Sequence, residues 1–181
     1  DATTADDAVI LVWAYSSSGE WFLIDGYSES GTMDKFMRNL FMLAQKYKPV
    51  GVGIERAGQQ GGFIPWIKET MITRNLWFEI TKGHDSTQEG IKSIKGKLTR
   101  FSVVAPWFKQ GKVHFPSEWK NSTLLNKLLG QLRLVTTKGI KGKDDMVDAV
   151  SMLGAMDVWK PSDYAPSTVE EDEVYGKEYA P

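Results

Sequence analysis

The run Ala8-Val9-Ile10-Leu11-Val12-Trp13-Ala14-Tyr15 limits the possible folds more than any other stretch of the chain. Eight consecutive residues without a charge cannot offer one face to water, so as a strand they require cover on both sides. Ser16-Ser17-Ser18-Gly19 then turns the chain into Trp21-Phe22-Leu23-Ile24-Asp25, and the two runs read as a hairpin whose first strand is central in a sheet. Helices on both faces of that sheet are the economical cover.

The following pattern supplies them. Thr32 is expected to cap a helix over residues 33–47, with Phe36, Met37, Leu40, Phe41, Leu43 and Ala44 on one stripe and Pro49 as its stop. Val50-Gly51-Val52-Gly53-Ile54-Glu55 reads as a strand ending in an acid, its glycines marking a close approach and leaving space around the carboxylate. Phe63, Ile64, Trp66, Ile67 and Met71 predict a helix with Pro65 in its first turn, and Trp77-Phe78-Glu79-Ile80 a further strand. Ile91, Ile94, Leu98 and Phe101 suggest a basic helix ended by Pro106, followed by a short strand near Val113. Leu124, Leu125, Leu128, Leu129 and Leu132 predict an amphipathic helix, residues 136–142 a basic loop, and residues 144–159 a last helix. Strands alternating with helices imply an α/β fold with a mixed β-sheet. Residues 1–159 form one expected domain; residues 160–181, acidic and aperiodic, read as a disordered tail.

Composition narrows the chemistry. With no cysteine and only His84 and His114, a thiolate or histidine-rich metal site is excluded, and both histidines read as structural or surface residues. Any bound metal would be held by oxygen, which favours magnesium or manganese. No apolar run reaches the ~20 residues of a membrane span, and the first residues lack a signal peptide, so a soluble intracellular chain is expected. The net charge of −1 conceals a division: residues 82–143 hold thirteen Lys and Arg against three acids, whereas residues 160–181 hold two against six. A basic block inside a near-neutral chain suggests a surface for a polyanion.

Lys143-Asp144-Asp145-Met146-Val147-Asp148-Ala149 places three carboxylates at the start of a helix whose next residues are apolar. Two readings are open: Asp144 and Asp145 cap the helix, or Asp145 and Asp148, one turn apart, share a divalent cation that relieves their repulsion. Glu55 at a strand end and Asp1 can converge with them at a sheet edge, and two ions about 4 Å apart among such acids can drive in-line attack on a phosphodiester.

These residues carry a resemblance. Asp1-Ala2-Thr3-Thr4 leading into the apolar run, Gly53-Ile54-Glu55, Lys97-Leu98-Thr99-Arg100, Gly111-Lys112-Val113-His114-Phe115-Pro116 and Asp144-Asp145-Met146-Val147-Asp148-Ala149 resemble the C-terminal nuclease domain of tailed-phage terminase large subunits. The resemblance implies a ribonuclease H-like fold and cleavage of concatemeric double-stranded viral DNA by two divalent cations. It makes Asp1, Glu55, Asp145 and Asp148 the catalytic metal ligands, with Asp144 in support or as a cap. Lys95, Lys97, Arg100, Lys138, Lys141 and Lys143 are the residues expected on the DNA backbone. The family's first aspartate ends a strand, which the sequence lacks, as it lacks the glycine-rich ATPase loop; the chain is expected to cleave DNA without translocating it. An upstream ATPase domain, the portal and a small terminase subunit are the implied partners, in the cytoplasm of an infected bacterial host. A resolvase- or transposase-type nuclease, or a non-catalytic DNA-binding domain, would share many of these features.

Overall fold

A computed structural model describes residues 7–56, 62–84, 86–92 and 96–159. The hairpin forms as its sequence implies: β1 (Ala8–Tyr15) runs antiparallel to β2 (Trp21–Glu29), turning at Gly19 with φ +79°. Val9, Leu11, Trp13 and Tyr15 enter one core cluster and Ile10 enters the other, the alternation of a strand covered on both faces. On one side lies α1 (Met33–Tyr47), whose Met37, Leu40 and Phe41 are buried; Thr32 holds the N-cap position but makes no side-chain cap bond.

β3 (Glu55–Arg56) is only two residues long, since Val52 upstream makes a single bridge to Ile80. The expected strands at 50–55 and 77–80 are thus reduced to that bridge and β3. α2 (Ile64–Arg74) follows, with Pro65 in the first turn, where its missing N–H costs nothing.

The basic helix departs from expectation. Ile91 belongs instead to β4 (Ile91–Lys92), parallel to β3, and is 1% exposed. Gly90 makes the entry possible: its φ is +85°, and a Cβ there would lie 2.5 Å from Ile64. The helix starts at Lys97 after Gly96, giving α3 (Lys97–Lys109), and Pro106 lies inside its last turn rather than ending it. β5 (Val113–His114) pairs in parallel with β2.

Ser122 caps α4 (Thr123–Arg133) by accepting the Leu125 N–H at 3.0 Å. The expected basic loop is a small hairpin, β6 (Val135–Thr136) and β7 (Gly139–Ile140), whose turn bonds to Thr136. α5 (Asp145–Ser151) is shorter than expected, tightening into a 3-10 turn over Met152–Gly154. The chain then runs beside residues 82–84, with His84 N–H donating to Ala155 and Asp157 N–H to Lys82. Those backbone bonds replace the helical ones and explain the early end.

The architecture is α/β, with a mixed sheet between α1 on one face and α3, α4 and α5 on the other. Among the described residues β1 is an edge and not the centre: the order is β1-β2-β5, with β3-β4 as a separate pair. Between β1 and residues 50–54 lies a cavity of about 510 Å³. Residues 160–181, expected as a tail, lie outside the described residues.

Asp25 fastens α1 to the sheet. It stands at a bulge, where Val12 faces Asp25 but Trp13 faces Leu23. Burial alone would raise its pKa, but donors from Lys46 at 2.8 Å, Tyr47 at 2.6 Å and the Gly26 N–H hold the carboxyl below its ordinary value. A depressed folded pKa stabilises the fold above the unfolded value of about 3.9 and loses that effect as pH falls through the folded one. Asp25→Asn should therefore cost about 1 kcal/mol at pH 7, and its urea midpoint should fall less steeply than the wild type's on acidification below about pH 4.

Candidate active site

The site is built by α5 being fixed from beneath. Met146 and Val147 are 0% exposed and Val150 is 1% exposed, so the polar positions between them have one direction left. At the helix start the Met146 N–H donates to Gln131 Oε1 at 2.8 Å, a buried bond from α4. Asp144 occupies the N-cap position but makes no side-chain cap bond. The orphan donor of the first turn is satisfied by Gln131 instead.

Freed from capping, the Asp144 carboxylate takes Lys97 Nζ, with both oxygens at 2.8 Å. Asp148, four residues on, receives the same ammonium at 3.1 Å. Its other oxygen accepts from Arg100 Nη2 at 2.9 Å, and Arg100 Nη1 stands 3.3 Å from Glu55. A carboxylate from β3 and one from α5 therefore converge on a single guanidinium from the first turn of α3. Arg100 is 9% and Asp148 19% exposed, unlike the exposed Lys35–Glu29 and Lys68–Glu89 pairs, so solvent screens this pair less, whereas Glu55 is 42% exposed. Burial pushes the Asp148 carboxyl above its ordinary value despite Lys97 and Arg100, with Asp144 adding to the shift. The hydrogen bond to Asp144 raises Lys97 in turn.

Asp145 faces elsewhere: its carboxylate accepts the Asp7 N–H at 3.2 Å. Residues 144 and 148, one full turn apart, share a side more closely than 145 and 148, which explains why Lys97 bridges the former pair. The Asp7 carboxylate is held by Lys127, with Lys143 Nζ 3.7 Å away; the Lys127 hydrogen bond keeps Asp7 below its ordinary value. Lys138 and Lys141 are exposed on and beside the β6–β7 hairpin. Asp1 and Lys95 lie outside the described residues. His114 pairs with Glu20 and stacks on Phe22, and His84 stands 3.9 Å from Asp157; neither meets these acids.

The glycines before Glu55 mark close approaches, as expected. A Cβ on Gly53 would meet Met156 Sδ at 2.6 Å and one on Gly51 would meet Thr81 Oγ1 at 2.2 Å, so the space beside each is taken by packing partners. Gln131 and Asp7 were not anticipated as parts of the site. Gln131 carried a signal: it lies on the apolar stripe of α4, one turn beyond Leu128, where a polar group needs a buried partner.

The chain matches the family described as terminase RNaseH-like domain over residues 1–156. It belongs to that family. No curated protein and no solved structure matches it. The mixed sheet with flanking helices is accordingly a ribonuclease H-like fold, and membership supports a nuclease role in packaging, with DNA as the substrate such domains imply. No helix among the described residues is long and apolar enough to cross a membrane.

Ribonuclease H-like nucleases generally use divalent metals. The donors fit: Glu55 and Asp148 offer hard oxygens that already converge on one cation, the Arg100 guanidinium. Among the described residues no group of three or more acids is assembled for a metal.

Replacing Gln131 with Leu would leave the Met146 N–H buried without its acceptor. We expect a loss of about 1–3 kcal/mol in a denaturant melt, and a wild-type midpoint would show that α5 is held without that bond.

Proposed function

We propose that this domain is an endonuclease that cuts double-stranded viral DNA concatemers during genome packaging by divalent-metal-dependent phosphodiester hydrolysis. The convergence of Glu55 and Asp148 on one cation position, in a chain of the terminase family, is the observation that carries the reading. Glu55 and Asp148, with Asp1 and with Asp145 on the side of α5 that meets Asp7, would hold two ions, magnesium or manganese. Bound there, the metals would supply Lewis acidity at the scissile phosphate and at a water.

The chain's own residues do the rest. The buried stripe of α5 fixes Asp148 opposite Glu55, and Asp144 keeps Lys97 beside them. Lys97, Lys138, Lys141 and Lys143, with Lys95, would neutralise backbone phosphates, contacts that position DNA without reading its sequence. The catalytic unit would span residues 1–159, with the acidic residues 160–181 as an appendage. An upstream ATPase domain, the portal and a small terminase subunit would be its partners in the cytoplasm of the infected host.

Supercoiled plasmid with manganese tests this. Glu55→Gln and Asp148→Asn should each slow nicking by about 100-fold or more, roughly 2.7 kcal/mol of transition-state stabilisation. Undiminished nicking would sink the assignment, DNA binding without metal-dependent cleavage would favour a non-catalytic domain, and a preference for four-way junctions over linear duplex would favour a resolvase. In a salt titration of duplex binding, Lys138→Ala and Lys141→Ala should each reduce the slope of log K against log salt by about 1. An unchanged slope would remove the hairpin from the DNA surface.

A further inference from the structure

α3 brings two cations to the acids in its first turn, and their environments differ. Lys97 is 51% exposed and bridges Asp144 and Asp148, both on α5. Arg100 is 9% exposed and spans two elements, with one nitrogen toward Glu55 of β3 and another on Asp148 of α5. Among the described residues, two cations thus face three carboxylates. Without Arg100, the Glu55 carboxylate, 42% exposed, and the Asp148 carboxylate, 19% exposed, would face each other with no shared guanidinium, a like-charge repulsion that would drive them apart. The guanidinium fork can hold two carboxylates from different elements at once, which a lysine ammonium does less well.

Those carboxylate oxygens are also the ones a divalent ion would need. We propose that Arg100 is a displaceable counter-cation: it keeps Glu55 and Asp148 convergent in the metal-free protein, and it must give up at least one of them when a divalent ion binds. This rests on the metal-nuclease reading above. Arg100 is therefore a positioning residue that competes with the metal, and the apparent metal affinity of the resting protein is lowered by the strength of its grip. It is not principally a surface contact for DNA, since its guanidinium is spent on the acids while no metal is bound.

Calorimetric titration of the whole chain with manganese, without DNA, tests the competition independently of cleavage. Arg100→Gln should bind manganese about tenfold more tightly than wild type, a typical coupling between competing sites, while unfolding at lower temperature in EDTA. Arg100→Lys, which keeps the charge but loses the fork, should fall between the two, and it decides the matter if Arg100→Gln does not fold. Equal or weaker manganese affinity in the folded variants would overturn the proposal and leave Arg100 a structural ion pair. Glu55→Gln serves as the check on the underlying reading: if wild type binds manganese and Glu55→Gln does not, the metal reading stands whatever Arg100 does. If wild type binds no manganese at all, both fall together.

Discussion

The burial of Met146, Val147 and Val150 decides where the acids of α5 can go. With that face pressed against β1, α3 and α4, Asp148 has a single outlet, and it opens onto the first turn of α3 and the end of β3. Gln131 removes the remaining freedom by holding the first turn from below. A seven-residue helix has little stability of its own, so its position is set by tertiary packing. The chemistry at the site is thus a consequence of apolar packing on the opposite side of the same helix.

The charges above that packing form one coupled system. Exposed ion pairs contribute about 0–1 kcal/mol, which makes the surface pairs of α1 and α2 minor. Arg100, Asp148 and Asp144 are half-buried or more, and there removal of one partner leaves a charge poorly compensated. That explains how acids of like sign remain close together.

Much of this was legible from residue patterns. The hairpin, α1, α2 with Pro65 and the leucine stripe of α4 followed from periodicity, and the mixed α/β architecture from their alternation. The placement of Glu55 in a strand and of Asp145 and Asp148 in the first turn of a helix was legible from the apolar runs they flank. The errors came where two patterns overlap. Ile91 and Leu98 fit a helical stripe, but Gly90 and Gly96 divide them between β4 and α3, since tertiary pairing with β3 outweighs local periodicity. The end of α5 was hidden because pairing of residues 155–157 with 82–84 involves backbone groups, which a side-chain pattern does not encode. β1, apolar on both faces, read as a central strand; among the described residues it is covered on both faces yet bordered on one edge by a cavity instead of a strand. Arg100 looked like a member of a basic surface because charge counting records how many cations there are and not which acids they meet.

The central claim is that Glu55 and Asp148 are two walls of a divalent-metal centre. Anomalous diffraction from crystals soaked in manganese tests it most directly. The account predicts an anomalous peak between those two carboxylates, with the Arg100 guanidinium withdrawn from at least one of them. Manganese bound only elsewhere, with Arg100 still joining Glu55 to Asp148, would contradict it.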